Sequence, residues 1–311
     1  MNVLSLFDGM SCGQIALERA GIKVNKYFAS EIKPHAIKVT QHNYPNTIQL
    51  GDVKNIYVKD LPRIDLIIGG SPCQDLSQAN KEKLGLEGLK SGLFYEYLRL
   101  LRECSPKYFL LENVAMDSRE YFKISKELGT LPVRINSSLV APQLRGREYW
   151  TNIGPEFYDL TGFRHCDIPL PKDRKIKLQN ILESGYTDRE KARCLLESDS
   201  RPLTTSVKMY HRYASSGFTT LIFKSKRHFE DCRKYYNKNF KGLSADEIQC
   251  DSYIFDGVRY MTQSELEKCQ TVPEGYTSIL SRNDAACLLG DGWTVDVIVH
   301  IFKQMLQEEN Q

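Results

Sequence analysis

The segment GGSPCQDLSQAN, residues 69–80, places Cys73 directly after Pro72 and just past the apolar run DLIIG at 65–69. A lone cysteine is more often a small core residue than a reagent. Its neighbours here argue otherwise. Pro72 fixes the backbone before it, Gly69, Gly70 and Ser71 leave space, and Gln74 and Asp75 follow. That is a poor core and a good mount for a thiolate nucleophile. A second apolar run, YFLL at 108–111, ends in Glu112-Asn113-Val114. If the two runs are adjacent parallel strands, Glu112 faces Cys73 across a pocket. A thiolate and a carboxyl around one planar ring make a working pair. The sulfur adds to an electron-poor carbon, and the carboxyl, kept protonated by burial, hydrogen-bonds a ring nitrogen and donates its proton. QLRGR at 143–147 adds Arg145 and Arg147, two residues apart and so on one face of a strand. They can grip a phosphate or brace a carboxylate, or form a solvated strand edge.

The elements around these residues alternate. Strand patterns at 3–6, 26–30, 48–50, 65–69 and 108–111 are separated by helical patterns at 13–20, 34–43 and 93–103. A helix at 117–128 and strands near 134–139 and 148–153 follow. Such alternation predicts an α/β fold with a parallel, Rossmann-like sheet. Open sheets of this kind bind ligands beyond the carboxyl ends of their strands. The first strand runs into Phe7-Asp8-Gly9-Met10-Ser11-Cys12-Gly13, a glycine turn that is not GxGxxG. The second ends at Ser30-Glu31, where such folds hold ribose hydroxyls, and the third at Gly51-Asp52-Val53, where an acid can accept from an adenine amino group. Each acid alone reads equally well as a helix cap. Together the three strand ends read as an adenosine site.

The chain has 311 residues and nine cysteines, none in a CxxC pair, so neither a metal site nor a disulfide framework is expected. The N-terminus lacks the basic region of a signal peptide, and no apolar run approaches the ~20 residues of a membrane span. Reduced thiols in a cytoplasm follow as the expectation. The net charge is +3, unevenly spread. Residues 201–245 hold ten Lys/Arg against two acids, a local +8 that leaves −5 for the rest. A basic block on a nearly neutral chain points to a polyanionic partner, with a solvated surface patch as the competing reading. Residues 161–256 look irregular, basic and rich in Tyr, Ser, Thr and Lys. Beyond about 260 the pattern is helical again, with a capping box at Thr262 and Glu265 and a last helix at 293–307. The expected organisation is one domain from 1–160 plus 257–311 and a smaller, irregular insert at 161–256.

In this order, FDGMSCG, SE at 30–31, GDV at 51–53, SPCQ at 71–74, ENV at 112–114, QLRGR, MTQSELEKCQTVPEGYT at 261–277 and LLGDGWTVDVI at 288–298 resemble the DNA cytosine-5 methyltransferases. FDG, GGSPC and LLGDGW are most similar to the catalytic domain of the animal de novo type, without its regulatory modules. The resemblance spans nearly all of the chain outside 161–256 and implies the S-adenosylmethionine-dependent methyltransferase fold, with the insert as target-recognition region. It implies S-adenosylmethionine as cofactor, lined by Phe7, Asp8, Gly9, Met10, Cys12, Glu31, Ile32, Asp52, Val53, Pro72, Leu93 and Trp293. Where relatives commonly carry Asn, this chain has Asp291. The implied catalytic residues are Cys73, Glu112, Asn113, Arg145, Arg147 and Pro72. Implied DNA contacts are Gln74, Ser77, Lys81 and Lys83 in a closing lid. In the insert they are Lys208, Tyr210, Arg212, Lys224, Lys226 and Arg227, with 206–220 as reading segment. The implied partner is double-stranded DNA, with the target cytosine flipped out, no metal, and a monomer on DNA in a bacterial or phage-infected cell. RNA cytosine-5 methylation and an inactive DNA-binding homologue remain as alternatives. A nicotinamide oxidoreductase shares the glycine turn and the acid at 31 but leaves SPCQ, ENV and RGR unexplained. Amino-nitrogen methyltransferases carry an aromatic residue where Cys73 stands.

Overall fold

The computed structural model describes residues 1–71, 92–160, 162–196, 205–217, 219–248 and 252–308. In chain order the first elements are β1 (Asn2–Leu6), α1 (Cys12–Ala20), β2 (Lys26–Ser30), α2 (Pro34–Asn43), β3 (Ile48–Gln49) and β4 (Leu66–Gly69). There follow α3 (Leu93–Cys104), β5 (Tyr108–Val114), α4 (Ser118–Leu128), β6 (Val133–Asn136) and β7 (Gly146–Thr151). The seven strands form one sheet in the order β3-β2-β1-β4-β5-β7-β6. All neighbouring pairs are parallel except those of β7, which runs against both β5 and β6. The sequence pattern predicts parallel strands throughout. Strands β6 and β7 are joined directly, without a crossover helix between them, so their pairing is antiparallel.

Two helical layers cover the sheet. Leu4, Leu6, Phe28, Ile67 and Leu111 share a core with Phe94 and Leu98 of α3 and Ile124 of α4. The start of α1 lies on the opposite face, since a side chain at Gly13 would strike Ile68 and the Tyr27 hydroxyl. Strands buried on both faces read as unbroken apolar runs, which is why IIG and YFLL stand out in the sequence. Helix α1 ends on Gly21 at φ 78°, a left-handed cap that glycine adopts without strain.

The chain divides into two compact units. The first comprises Met1–Asn136, Gly146–Lys172 and Trp293–Gln311, and includes the hairpin of β8 (Glu156–Tyr158) and β9 (Arg164–Cys166). The second comprises Ser137–Arg145 and Asp173–Gly292. It contains α5 (Ser206–Ser216), α6 (Lys226–Asn239), α7 (Gln263–Gln270) and α8 (Arg282–Asp291). Helix α9 (Val295–Glu308) closes the chain in the first unit and packs along α1. These boundaries differ from the composition breaks at 160 and 257: α7 and α8 group with the insert, and the return to the first unit comes at Trp293. The insert is also less irregular than its composition implies. Helix α5 starts on a Thr205 cap and α6 on a Ser225 cap, and Tyr210, Phe223, Tyr236 and Phe255 pack between them. Short-range polar composition concealed an aromatic core. The capping box at Thr262 and Glu265 forms as the spacing predicts.

Residues Arg282–Gln307 reach a mean hydropathy of 1.4 over an 18-residue window, long and apolar enough by composition to cross a membrane. Their sequence is broken between α8 and α9 at 292–294, and 67% of that window is buried.

Candidate active site

The candidate residues of the first unit gather at one edge of its sheet. Leu6 pairs with both Ser30 and Gly69, and Gly69 with Leu111. One step beyond that row come Phe7, Glu31, Gly70 and Glu112. The middle of the row, between β1 and β4, is where the strand order reverses and where open sheets open a crevice.

The turn after β1 is wound tightly. Phe7, Gly9 and Ser11 have φ of 56°, 59° and 59°, and for the two that are not glycine such backbone costs about 1–3 kcal/mol each. Side-chain and backbone bonds hold it. Asp8 N–H donates to Ser30 O at 3.0 Å, and Gly9 N–H to Glu31 Oε2 at 2.8 Å. The Tyr27 hydroxyl donates to Asp8 Oδ1 at 2.8 Å, and the Ser11 hydroxyl donates to Asp8 Oδ2. Burial pushes the Asp8 carboxyl up to about 6; hydrogen bonds from Ser11, Ser5 and Tyr27 oppose that rise, and the Glu31 charge adds to it. A side chain at Gly9 would meet nothing within 4 Å, so the backbone there faces open space. Met10 and Cys12 turn the other way, into the protein, at 1% and 4% exposure.

Glu31 Oε1 accepts from Ile32 N–H at 2.7 Å and Lys33 N–H at 2.8 Å. Three backbone donors thus fix its carboxylate beside the turn. Ile32 is exposed, and Val53 is buried. Asp52 caps the short turn Val53–Asn55 through a 3.0 Å bond from Lys54 N–H. Asp52 therefore does the capping work it alone suggested, whereas the N-cap of α2 is Lys33 without a side-chain cap bond, and Glu31 instead holds the turn after β1. Leu93 begins α3 and packs against the main core.

Glu112 is held at both oxygens. Oε1 pairs with Arg147 Nε at 2.9 Å, and Oε2 accepts from Trp293 Nε1 at 3.2 Å. It is not the isolated carboxyl in an apolar pocket that burial alone suggests. Arg147 reaches it because β5 and β7 pair, with Val114 opposite Arg147. Asn113, buried, donates to Ser71 Oγ at 3.2 Å and accepts from Val114 N–H at 2.8 Å. It ties β5 to the segment leading toward Pro72. Arg145 precedes β7 in the second unit and meets other partners: Gly292 O at 2.9 Å and Cys194 Sγ at 3.3 Å.

Pro72, Cys73, Gln74, Ser77, Lys81 and Lys83 lie outside the described residues, as does the rest of the expected lid to residue 91. In the insert, Lys224, Lys226 and Arg227 are exposed and Lys208 and Arg212 half-buried. Tyr210 is a correction. It is 2% exposed, its ring 5.1 Å from those of Tyr236 and Phe255, so it is core and not a base contact. The segment 206–220 is largely helix α5. Periodicity misleads there because Tyr carries an apolar ring and a polar tip. Sequence reading gave Gly70 only the role of leaving space beside Cys73, and Tyr27 none. The double glycine was the one visible signal for the first. Among the described residues no group of three or more His, Cys, Asp or Glu could hold a metal ion.

Residues 1–131 match the model of the C-5 cytosine-specific DNA methylase family. The type II methyltransferase M1.ScrFI of Lactococcus lactis subsp. cremoris is 29% identical over 98% of this chain and 78% of its own length. The type II methyltransferase M.NgoBV of Neisseria gonorrhoeae is 32% identical over 58% of this chain. The orphan methyltransferase M.Rho11sI of Bacillus phage rho11s is 40% identical over 37% of this chain. The matched region spans 46% and 23% of those last two proteins. Among solved structures, S. pombe Dnmt2 methyltransferase superposes with a TM-score of 0.68 at 17% identity, over the whole of both chains. The Entamoeba histolytica methyltransferase EhMeth gives 0.70 at 17% identity over 100% of this chain and 99% of its own. They share the fold. With the ordered strand-end motifs and the sheet that carries them, these matches support a DNA cytosine-5 methyltransferase.

Proposed function

We propose that this chain methylates carbon 5 of a flipped-out cytosine in a specific double-stranded DNA site, through a covalent bond to Cys73. The observation that carries the reading is Glu112, clamped at the carboxyl end of β5, on the strand beside the one that leads into Pro72-Cys73.

S-adenosylmethionine, when bound, supplies an electrophilic methyl group. The site fits it: an open backbone at Gly9 beside an anchored acid, at the sheet's crossover point, suits a nucleoside with two ribose hydroxyls. Phe7, Asp8 and Gly9 would line its methionine and ribose side. Glu31 has one acceptor site left for the ribose, and Ile32, Asp52 and Val53 would flank the adenine. Met10 and Cys12 would contribute backbone, with Pro72, Leu93 and Trp293 completing the wall.

The protein's residues then act on the base. Cys73 Sγ bonds to carbon 6 of the ring. Glu112 hydrogen-bonds ring nitrogen 3 and passes it a proton as charge moves there; that proton returns to the carboxylate when the sulfur leaves. Carbon 5, now enamine-like, takes the methyl group. A base removes the carbon-5 proton, the Cys73–carbon 6 bond breaks, and the sulfur leaves as thiolate. Arg147 orients Glu112, Asn113 holds the approach to Cys73 through Ser71, and Arg145 braces the segment entering β7. Pro72 sets the backbone from which Cys73 projects. The segment with Gln74, Ser77, Lys81 and Lys83 would close over the extruded base, which costs a few kcal/mol to unstack. Lys208, Arg212, Lys224, Lys226 and Arg227 would meet phosphates while the second unit reads sequence. DNA is favoured over RNA because the matching family model is that of DNA methylases and the curated relatives are type II methyltransferases. Bacterial and phage relatives suit modification of microbial DNA by a monomer in the cytoplasm, within a restriction–modification system or as an orphan enzyme.

The test is a duplex carrying 5-fluorocytosine at the modified site, which bisulfite sequencing of DNA from expressing cells identifies. Wild-type protein with S-adenosylmethionine should form an adduct that survives denaturation. Cys73→Ser should form none and transfer no methyl group. A serine variant as active as wild type would remove Cys73 from its role.

A further inference from the structure

The indole of Trp293 has a partner that a place in the cofactor wall does not require. Its Nε1 lies 3.2 Å from Glu112 Oε2. Beneath the pair is Gly70: a Cβ added there would stand 2.8 Å from that same Oε2 and 3.1 Å from the same Nε1. The φ of Gly70 lies outside the left-handed region, so the position needs an absent side chain rather than backbone freedom. Register explains the juxtaposition. Gly69 pairs with Leu111, which sets Gly70 beside Glu112 one step on.

We infer that Trp293 is a positioning residue for Glu112, and that Gly70 is the gap through which the indole reaches the carboxyl group. The terminal torsion of a glutamate is broad, and one partner on one oxygen leaves it free to turn. Arg147 holds Oε1 at 2.9 Å. Trp293 holds Oε2 with a neutral group that only donates, so it sets the plane of the carboxyl group without adding charge. A tryptophan N–H removed from water needs such an acceptor. Trp293 is itself anchored: it stands two residues before α9, whose Asp296 pairs with Arg19 of α1 at 2.9 Å. The C-terminal helix thereby completes the acid's mounting. This inference rests on the proposed role of Glu112 as the group that bonds the substrate ring. A carboxyl group turned out of plane would slow turnover while leaving cofactor affinity nearly intact.

The test has two readouts. The chain has two tryptophans, so a 15N-indole spectrum holds two N–H signals, and Trp293→Phe identifies the one from Trp293. Gly70→Ala and Glu112→Gln should each shift that signal and speed its exchange with water. A signal indifferent to both would overturn the contact. In methyl transfer, Gly70→Ala and Trp293→Phe should each lower kcat about tenfold, and Gly70→Ala, which removes no part of the cofactor wall, should change KM for S-adenosylmethionine by less than about threefold. The double variant should be no worse than the poorer single one, because both remove one hold. Losses that multiply, or a Gly70→Ala loss that falls on KM, would overturn the positioning role. A wild-type chain inert on cytosine DNA, with the signal still responsive, would instead overturn the functional reading, and the catalytic half of this inference with it.

Discussion

Asp8 shows how a single residue can be set against its own charge. Its carboxyl group accepts from Ser11 and Tyr27 beneath a strained turn, yet burial pushes it up to about 6 from 3.8. The folded protein therefore holds this proton more tightly than the unfolded chain does. Below about pH 3 both states are protonated and Asp8 costs nothing. As pH rises to about 6 the unfolded chain releases the proton first, and folding loses up to about 3 kcal/mol at this residue. Above about 6 the penalty is constant. Asp8→Asn should remove it. Urea midpoints of the variant and the wild type should separate in the variant's favour between about pH 4 and 6.5, then run parallel. Midpoints that stay a constant distance apart across that range would place the carboxyl group in water. The two left-handed residues, Phe7 and Ser11, give this network its purpose: it holds a backbone shape that the isolated segment would not keep.

At the scale of an element, α6 separates structure from surface cleanly. Cys232, Tyr236 and Phe240, at four-residue spacing, are buried against the core of the second unit. Arg227, Lys234 and Lys238 are exposed and lie on the side turned away from that core. Three cations along one helix line, with Lys241 just beyond, are spaced to follow a phosphate chain. Glutamine at 227, 234 and 238 together should leave the fold intact, since nothing buried changes. It should weaken DNA binding uniformly across sequences and reduce the slope of log affinity against log salt by about 2 to 3. An unchanged slope would make this face an ordinary solvated one. The half-buried Lys208 and Arg212 of α5 are less suited to the role than the exposed cations of α6.

For the whole molecule, the division into two units assigns the proposed chemistry and the proposed sequence reading to different cores. Both tryptophans, Trp150 and Trp293, belong to the first unit, so intrinsic tryptophan fluorescence follows the unfolding of that unit alone. S-adenosylmethionine at a hundred times its dissociation constant should stabilise that transition by about 2.7 kcal/mol. Glu31→Ala should abolish most of the gain. A fluorescence transition that ignores the cofactor would take the pocket away from the first unit's strand ends.

Much of this was readable along the chain, for a local reason. Strands buried on both faces are continuous apolar runs, and Pro34, Gly21 and Thr262 mark helix ends through their own backbone chemistry, so the α/β order and the strand-end positions of Phe7, Glu31, Asp52 and Glu112 follow from residues close together in sequence. Other features depend on residues far apart. The reversal of β7, which brings Arg147 to Glu112, depends on which strand edge remains open. The meeting of Trp293 with Glu112 spans 181 positions, and nothing in either neighbourhood encodes it. Tyr210 belongs to the core of the second unit because aromatic rings from four separate segments converge there, which composition alone reads as a polar insert. Backbone preference and burial pattern act over a few residues and can be seen in order. Contacts between distant side chains exist only after packing has chosen among many partners, so the tertiary structure alone decided them.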